Sequence, residues 1–88
     1  MLTTKVTVKN QVGIHARPAS RFVSVAAGFH SNITITKGAS NASAKSITRI
    51  LSLLIKMNDE IIISADGDDQ AEAIKALTEL IDSKFGEE

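Results

Sequence analysis

The run Asn10-Gln11-Val12-Gly13-Ile14-His15-Ala16-Arg17-Pro18-Ala19 gathers the residue types that handle an anion. His15 stands where a glycine-containing loop gives way to helical periodicity. The first amides of a helix have no intrahelical acceptor, and with the macrodipole they form a seat for negative charge. Pro18 brings no N–H and restricts Arg17, so the phosphate-binding segment to expect is Ala16, Arg17 and Pro18, with the amides of the first two as donors. The guanidinium of Arg17 adds a fork that matches phosphate oxygens, and Arg21, one turn on, adds a second positive charge. Imidazole in general titrates near pH 6.5, so much of it is neutral and nucleophilic near neutrality, and a phosphohistidine is labile enough to pass its group onward. The chemistry implied is acceptance and release of a phosphoryl group by His15, assisted by Arg17.

The elements that must position this site can be read from the period of the apolar residues. Leu2 to Val8 alternates, with Leu2, Thr4, Val6 and Val8 on one face, as in a half-buried strand. Asn10 to Gly13 reads as a turn or loop. Ala16, Ala19, Phe22, Val23 and Ala26 then recur at helical spacing, with Gly28 as the stop. Asn32 to Lys37 and Asn41 to Lys45 read as two strands joined through Lys37-Gly38-Ala39. Ser46 is an N-cap for a second helix, whose apolar stripe is Ile47, Ile50, Leu51 and Leu54, with Leu53 and Ile55 outside it. After an Asn58-Asp59 turn, Glu60 to Ala65 reads as a central strand buried on much of both faces. Asp69 with Glu72 resembles a capping box opening a third helix, striped by Ala71, Ile74, Leu77 and Ile81 and stopped by Gly86. The order β-α-β-β-α-β-α predicts an α+β fold: a four-stranded, antiparallel sheet with three helices on one face, an open-faced sandwich.

Length and composition narrow the function classes. Eighty-eight residues with 43% apolar content suit one folded unit and exclude a disordered chain. Absence of cysteine excludes disulfide scaffolds, cysteine-ligated metals, iron–sulfur clusters and thiol catalysis, and fits a reducing, cytoplasmic setting. The longest apolar runs, Leu53 to Ile55 and Ile61 to Ile63, have three residues against the ~20 that span a bilayer, and no signal-peptide layout opens the chain. Neutral overall, the chain is polar along its length. Residues 1–58 carry eight basic side chains and no acidic one, whereas residues 59–88 carry all ten acidic residues against Lys75 and Lys84. His15, Arg17, Arg21, Lys45 and Arg49 all fall in the basic part, which suits an anion and an acidic partner surface.

The segment Gly13-Ile14-His15-Ala16-Arg17-Pro18-Ala19 resembles the active-site signature of the HPr family, the histidine-containing phosphocarriers of the bacterial phosphoenolpyruvate-dependent sugar phosphotransferase system. Chain length, element order, Lys45-Ser46-Ile47 opening the second helix, and the Ile-rich fourth strand with its Asp-Gly-Asp ending extend the resemblance over residues 1–88 as one domain. The resemblance implies a carrier rather than an enzyme. Phosphorylated enzyme I would donate to Nδ1 of His15, and sugar-specific enzyme IIA domains would accept. It implies no cofactor and no metal, no nucleic acid, no membrane insertion, and a monomer. In many Gram-positive members the residue matching Ser46 is phosphorylated by an HPr kinase/phosphorylase, which brings in a catabolite-control transcription factor. Arg21, Ile47, Arg49 and Leu51 are the residues expected to meet partners; for Ile47 and Leu51 a plain core role is the alternative. Gram-positive members commonly read Ser-Ile-Met-Gly-Val-Met-Ser-Leu-Gly here, whereas this chain reads Ser46-Ile47-Thr48-Arg49-Ile50-Leu51-Ser52-Leu53-Leu54. Both glycines are replaced, with Arg49 adding charge and Leu54 adding bulk.

Other readings compete. The carrier of the nitrogen-regulatory phosphotransferase chain shares the His motif. A basic nucleic-acid-binding module is disfavoured by the lack of Tyr and Trp, with only Phe22, Phe29 and Phe85 to stack on bases. A phosphatase built on His15 and Arg17 lacks a visible general acid. His30 has no carboxylate at ligand spacing and reads as a solvated loop residue. Asp66, Asp68 and Asp69 lack the later ligands of a calcium loop.

Overall fold

The structure, a computed structural model, describes residues 1–9 and 13–86. Strands β1 (Leu2–Thr7), β2 (Asn32–Lys37), β3 (Ser40–Ser43) and β4 (Glu60–Asp66) alternate with helices α1 (Ala16–Ala27), α2 (Ile47–Ser52) and α3 (Gln70–Asp82), and a 3-10 turn spans Lys84–Gly86. The order is β-α-β-β-α-β-α, as the periodicity predicts. Of the Asn10–Gly13 turn, residues 10–12 lie outside the described residues.

The four strands form one open antiparallel sheet in the order β1-β4-β2-β3. Its register pairs Val6 with Ile61, and Ile35 with both Ile63 and Ala42. These residues point to the same face, as the two-residue period requires, and meet Ala19, Phe22 and Ala26 of α1, Ile50 of α2, and Ala73, Leu77 and Ile81 of α3 in a single core. The other face carries Thr3, Lys5, Thr34, Thr36 and Ser64. Because the helices cover only one side, β4 is not buried on both faces as its Ile-rich sequence suggests: Ile61 and Ile63 are buried, but Ile62 is 38% exposed.

The helix stripes are shifted from those expected. In α1, Ala16 is exposed and the buried side is Pro18, Ala19, Phe22 and Ala26. Gly28 ends the helix with φ −77, an ordinary helical angle, so no left-handed cap is used. In α3, Ala73 rather than Ala71 joins Leu77 and Ile81 in the core. The largest departure is α2. The helix closes at Ser52, and Leu54 takes φ +55 and stands 69% exposed, while Leu53 and Ile55, outside the helical stripe, are buried beside Ile50. A period of 3.6 has no meaning past the last helical residue.

Asp69 occupies the N-cap position of α3 but makes no side-chain cap bond. Its carboxylate reaches across the fold instead: Oδ2 accepts from the His30 amide at 2.7 Å, and Oδ1 accepts from the Ser31 amide at 3.0 Å and from the Ser31 hydroxyl. The Ser31 hydroxyl, then the His30 amide, hold this carboxyl below the ordinary carboxylate range, with desolvation opposing them. Its folded pKa is depressed, so the unfolded chain binds more protons on acidification. The stability from this clasp is complete above about pH 5 and is lost as the pH falls below about 4. Asp69→Asn is therefore expected to lower the melting temperature at neutral pH and to flatten the pH dependence of stability below about pH 5. Denaturant titrations across that range check this, and superimposable curves for the two proteins would assign the clasp no role.

Candidate functional site

Burial alternates sharply across the His motif. Gly13 and Ile14 are buried, His15, Ala16 and Arg17 are exposed, and Pro18 and Ala19 are buried again. Apolar anchors on both sides thus force the three intervening residues outward. His15 is the N-cap of α1, extended at φ −110 and ψ −161; its side chain makes no cap bond, and its carbonyl accepts from the Ala19 amide at 2.9 Å. Pro18 has no N–H, so the amides in the first turn of α1 are those of Ala16, Arg17 and Ala19, of which Ala19 bonds the His15 carbonyl. No acidic residue lies in that first turn to offset the positive end of the dipole. Arg21 follows Arg17 at the i+4 position, on the same exposed side.

Val8 and Ile14, on the two sides of the stretch leading to His15, both bond the chain that follows α2. On the near side, the Val8 amide donates to the Asp59 carbonyl at 3.0 Å and the Val8 carbonyl accepts from the Asn58 amide at 2.7 Å. On the far side, the Ile14 amide donates to the Ile55 carbonyl at 3.1 Å. Gly13 has φ +67, and a Cβ there would stand 2.4 Å from the Ile55 carbonyl oxygen and 2.7 Å from the Lys56 Cα. Only glycine fits this close approach of two backbones. None of this is legible from local spacing, save that a glycine before His15 hints at a special backbone angle.

The expected partner residues divide. Arg21 and Arg49 are exposed, Ile47 is 39% exposed, and Leu51 packs against the core edge, so the core reading holds in part for Leu51 and fails for Ile47. Helix α2 packs on α1, which brings Ile47, Arg49 and Leu51 onto the element next to the one that begins at His15. Ser46 caps α2, its hydroxyl accepting from the Arg49 amide at 3.3 Å. Lys45 does not join the site as its place in the basic segment suggests. Its ammonium donates to the Phe29 carbonyl at 2.9 Å, beyond the other end of α1. The start of the third helix lies at that end too. Asp69 clasps His30 and Ser31, so α3 begins beside the end of α1 that lies about 18 Å from His15.

Comparison with known proteins places this arrangement. The family model for the PTS HPr component phosphorylation site matches residues 2–83. The chain belongs to the HPr family. Phosphocarrier protein HPr of Neisseria meningitidis is 38% identical over 87 residues, covering 99% of this chain and 98% of that protein. The crystal structure of HPr-C-His from Thermoanaerobacter tengcongensis matches with a TM-score of 0.96 at 48% identity, covering 100% of this chain and 99% of that one. The phosphoryl donor subunit DhaM of the PEP-dependent dihydroxyacetone kinase of Providencia stuartii is 36% identical over 86 residues, which is 98% of this chain but 18% of that longer protein. As a member of the HPr family, the chain is a phosphocarrier of the phosphotransferase system.

Residues outside the His motif fit that assignment. Phe22 and Phe85 are fully buried and Phe29, half-buried, packs against the core, so the aromatic side chains serve the HPr fold. His30 is exposed, as expected, but it has carboxylate neighbours that sequence spacing hides: ligand atoms of His30, Asp68 and Asp69 lie within 4.8 Å of one another. Both Asp69 oxygens there already accept protein hydrogen bonds. No helix among the described residues is long and apolar enough to cross a membrane.

Proposed function

We propose that His15 is the phosphoryl acceptor, that enzyme I is its donor, and that sugar-specific enzyme IIA domains relieve it of the group. The observation that carries this reading is the exposed imidazole of His15 at the head of an acid-free first turn, with Arg17 two residues on. The lone pair of the unprotonated Nδ1 attacks phosphorus as the donor's N–P bond breaks, and that bonding pair stays with the donor imidazole. The amides of Ala16 and Arg17 and the Arg17 guanidinium offset the charge on the equatorial oxygens during transfer. Handing the group on reverses the step, so no net change remains on the carrier. Incubation with enzyme I and phosphoenolpyruvate, followed by intact mass measurement, tests this: one acid-labile phosphoryl group per chain is expected, and an unmodified chain would refute the reading. The likeness to part of DhaM makes a DhaM-type acceptor worth including beside the enzyme IIA domains.

Arg17→Ala is expected to slow transfer from enzyme I by about tenfold or more with the melting temperature little changed, since the residue is exposed. Rapid-quench kinetics and thermal melts together check it; an unfolded variant would make Arg17 structural.

Ser46 also suits regulation by an HPr kinase/phosphorylase, with a catabolite-control transcription factor as reader, because a phosphate at a helix start is electrostatically tolerated while it presents two negative charges to an acidic partner. Aspartate caps helices as well as serine, so Ser46→Asp is expected to keep the fold and weaken binding to enzyme I by about tenfold. Unchanged affinity by calorimetry would remove this form of regulation.

A further inference from the structure

We infer that Lys37 and Asp59 are positioning residues for phosphoryl transfer: together they fix the Leu54–Asp59 segment on which both ends of the His15 loop rest. The inference builds on His15 as the acceptor and concerns groups remote from it in sequence. The Lys37 ammonium, at the end of β2, donates to the Leu54 carbonyl at 2.8 Å and pairs with Asp59 Oδ2 at 3.0 Å. The same Oδ2 accepts the Lys56 amide at 2.8 Å. One cation therefore joins both ends of the segment, and one carboxylate oxygen closes it internally.

The segment needs such a clamp. Two of its residues, Leu54 at φ +55 and Asn58 at φ +74, are held in the left-handed region, which Asn tolerates and a bulky Leu resists. Left alone, Leu54 would relax toward ordinary angles and swing the following carbonyl, that of Ile55. That carbonyl is the one the Ile14 amide bonds, next to His15. The Asp59 carbonyl, at the other end, receives the Val8 amide. Both side chains of the clamp are about 30% exposed, at 30% for Lys37 and 29% for Asp59, so solvent screens the pair only in part. The path from Lys37 to His15 thus runs through the Leu54 carbonyl, the Ile55 carbonyl and the Ile14 amide. Small displacements of a nucleophile cost transfer rate steeply, and this is the route by which they would arise.

The test measures transfer from phosphorylated enzyme I at saturating carrier, together with hydrogen exchange of the Ile14 amide by NMR, in Lys37→Met, Asp59→Asn, Lys37→Arg and Asp69→Asn. Lys37→Met and Asp59→Asn are expected to lower kcat by about fivefold with KM near that of the native protein, and to speed Ile14 exchange by about tenfold or more. Lys37→Arg, which can still reach both acceptors, is expected to restore most of the rate. Asp69→Asn loosens the opposite end of α1 and is expected to destabilise the fold while leaving kcat unaltered and speeding Ile14 exchange no more than that of the other core amides. Native kcat and native Ile14 exchange in Lys37→Met would overturn the inference, as would an equal loss of kcat in Asp69→Asn. Failure of the native chain to take a phosphoryl group would instead strike the assignment of His15, and Ile14 exchange would still report on the clamp.

Discussion

His15→Ala is expected to remove phosphoryl acceptance altogether, from one group per chain to none, while the protein stays folded. Loss is complete because no nearby group replaces the imidazole: Arg17 and Arg21 are never nucleophiles at neutral pH, and the described first turn supplies no other. The fold is spared because the His15 side chain is exposed and makes no cap bond, and the bond that starts α1, from the Ala19 amide to the His15 carbonyl, belongs to the backbone. The stability change should stay within about 0.5 kcal/mol, as for other surface positions without a structural feature. Intact mass after incubation with enzyme I and phosphoenolpyruvate, with a far-UV melt on the same sample, decides it. A phosphorylated variant would move the acceptor elsewhere.

Gly13→Ala is expected to cost the fold heavily. The new methyl group would meet the Ile55 carbonyl oxygen at 2.4 Å and the Lys56 Cα at 2.7 Å, both backbone atoms that cannot step aside as a flexible side chain would. Overpacking of this kind costs about 1–3 kcal/mol, and the left-handed angle of φ +67 adds roughly 1 kcal/mol for any L side chain. Together these predict a drop in melting temperature of roughly 10–20 °C. Gly38 supplies the control, since it has φ +60 but nothing within 4 Å of its would-be Cβ. Gly38→Ala then carries the conformational term alone, and a drop as large as that of Gly13→Ala would refute the account based on close approach. Residual folded Gly13→Ala should also transfer poorly at low temperature, because relief of the clash separates Ile14 from Ile55.

The strands and the His motif were legible because their information is local. Asn32–Lys37 alternates cleanly and matches β2 residue for residue, and the Gly-Ile-His-Ala-Arg-Pro-Ala run announces its own helix start. What stayed hidden depends on residues far apart in the chain. Asp69 looks like a helix cap when only its neighbours are considered, and becomes a clasp when Ser31, 38 positions away, is brought to it. Leu54 looks like the end of a stripe until the helix stops two residues earlier and Lys37 takes hold of its carbonyl. The twofold charge division was visible in the sequence; that Lys45 turns away from His15 and the start of α3 sits at the far end of α1 was not.

The strand order also bears on how the protein is made. Strand β4 is central, and its pairing of Leu2 with Ala65 joins the beginning of the chain to its last third. While the chain is being synthesised, β1 and β2 therefore lack their common neighbour, and only the β2–β3 hairpin can form from contiguous sequence. The seat of the His15 loop on residues 55–59 arrives equally late. A nascent chain would acquire its acceptor geometry only once β4 has emerged, so folding and competence for transfer should appear in the same step rather than in succession.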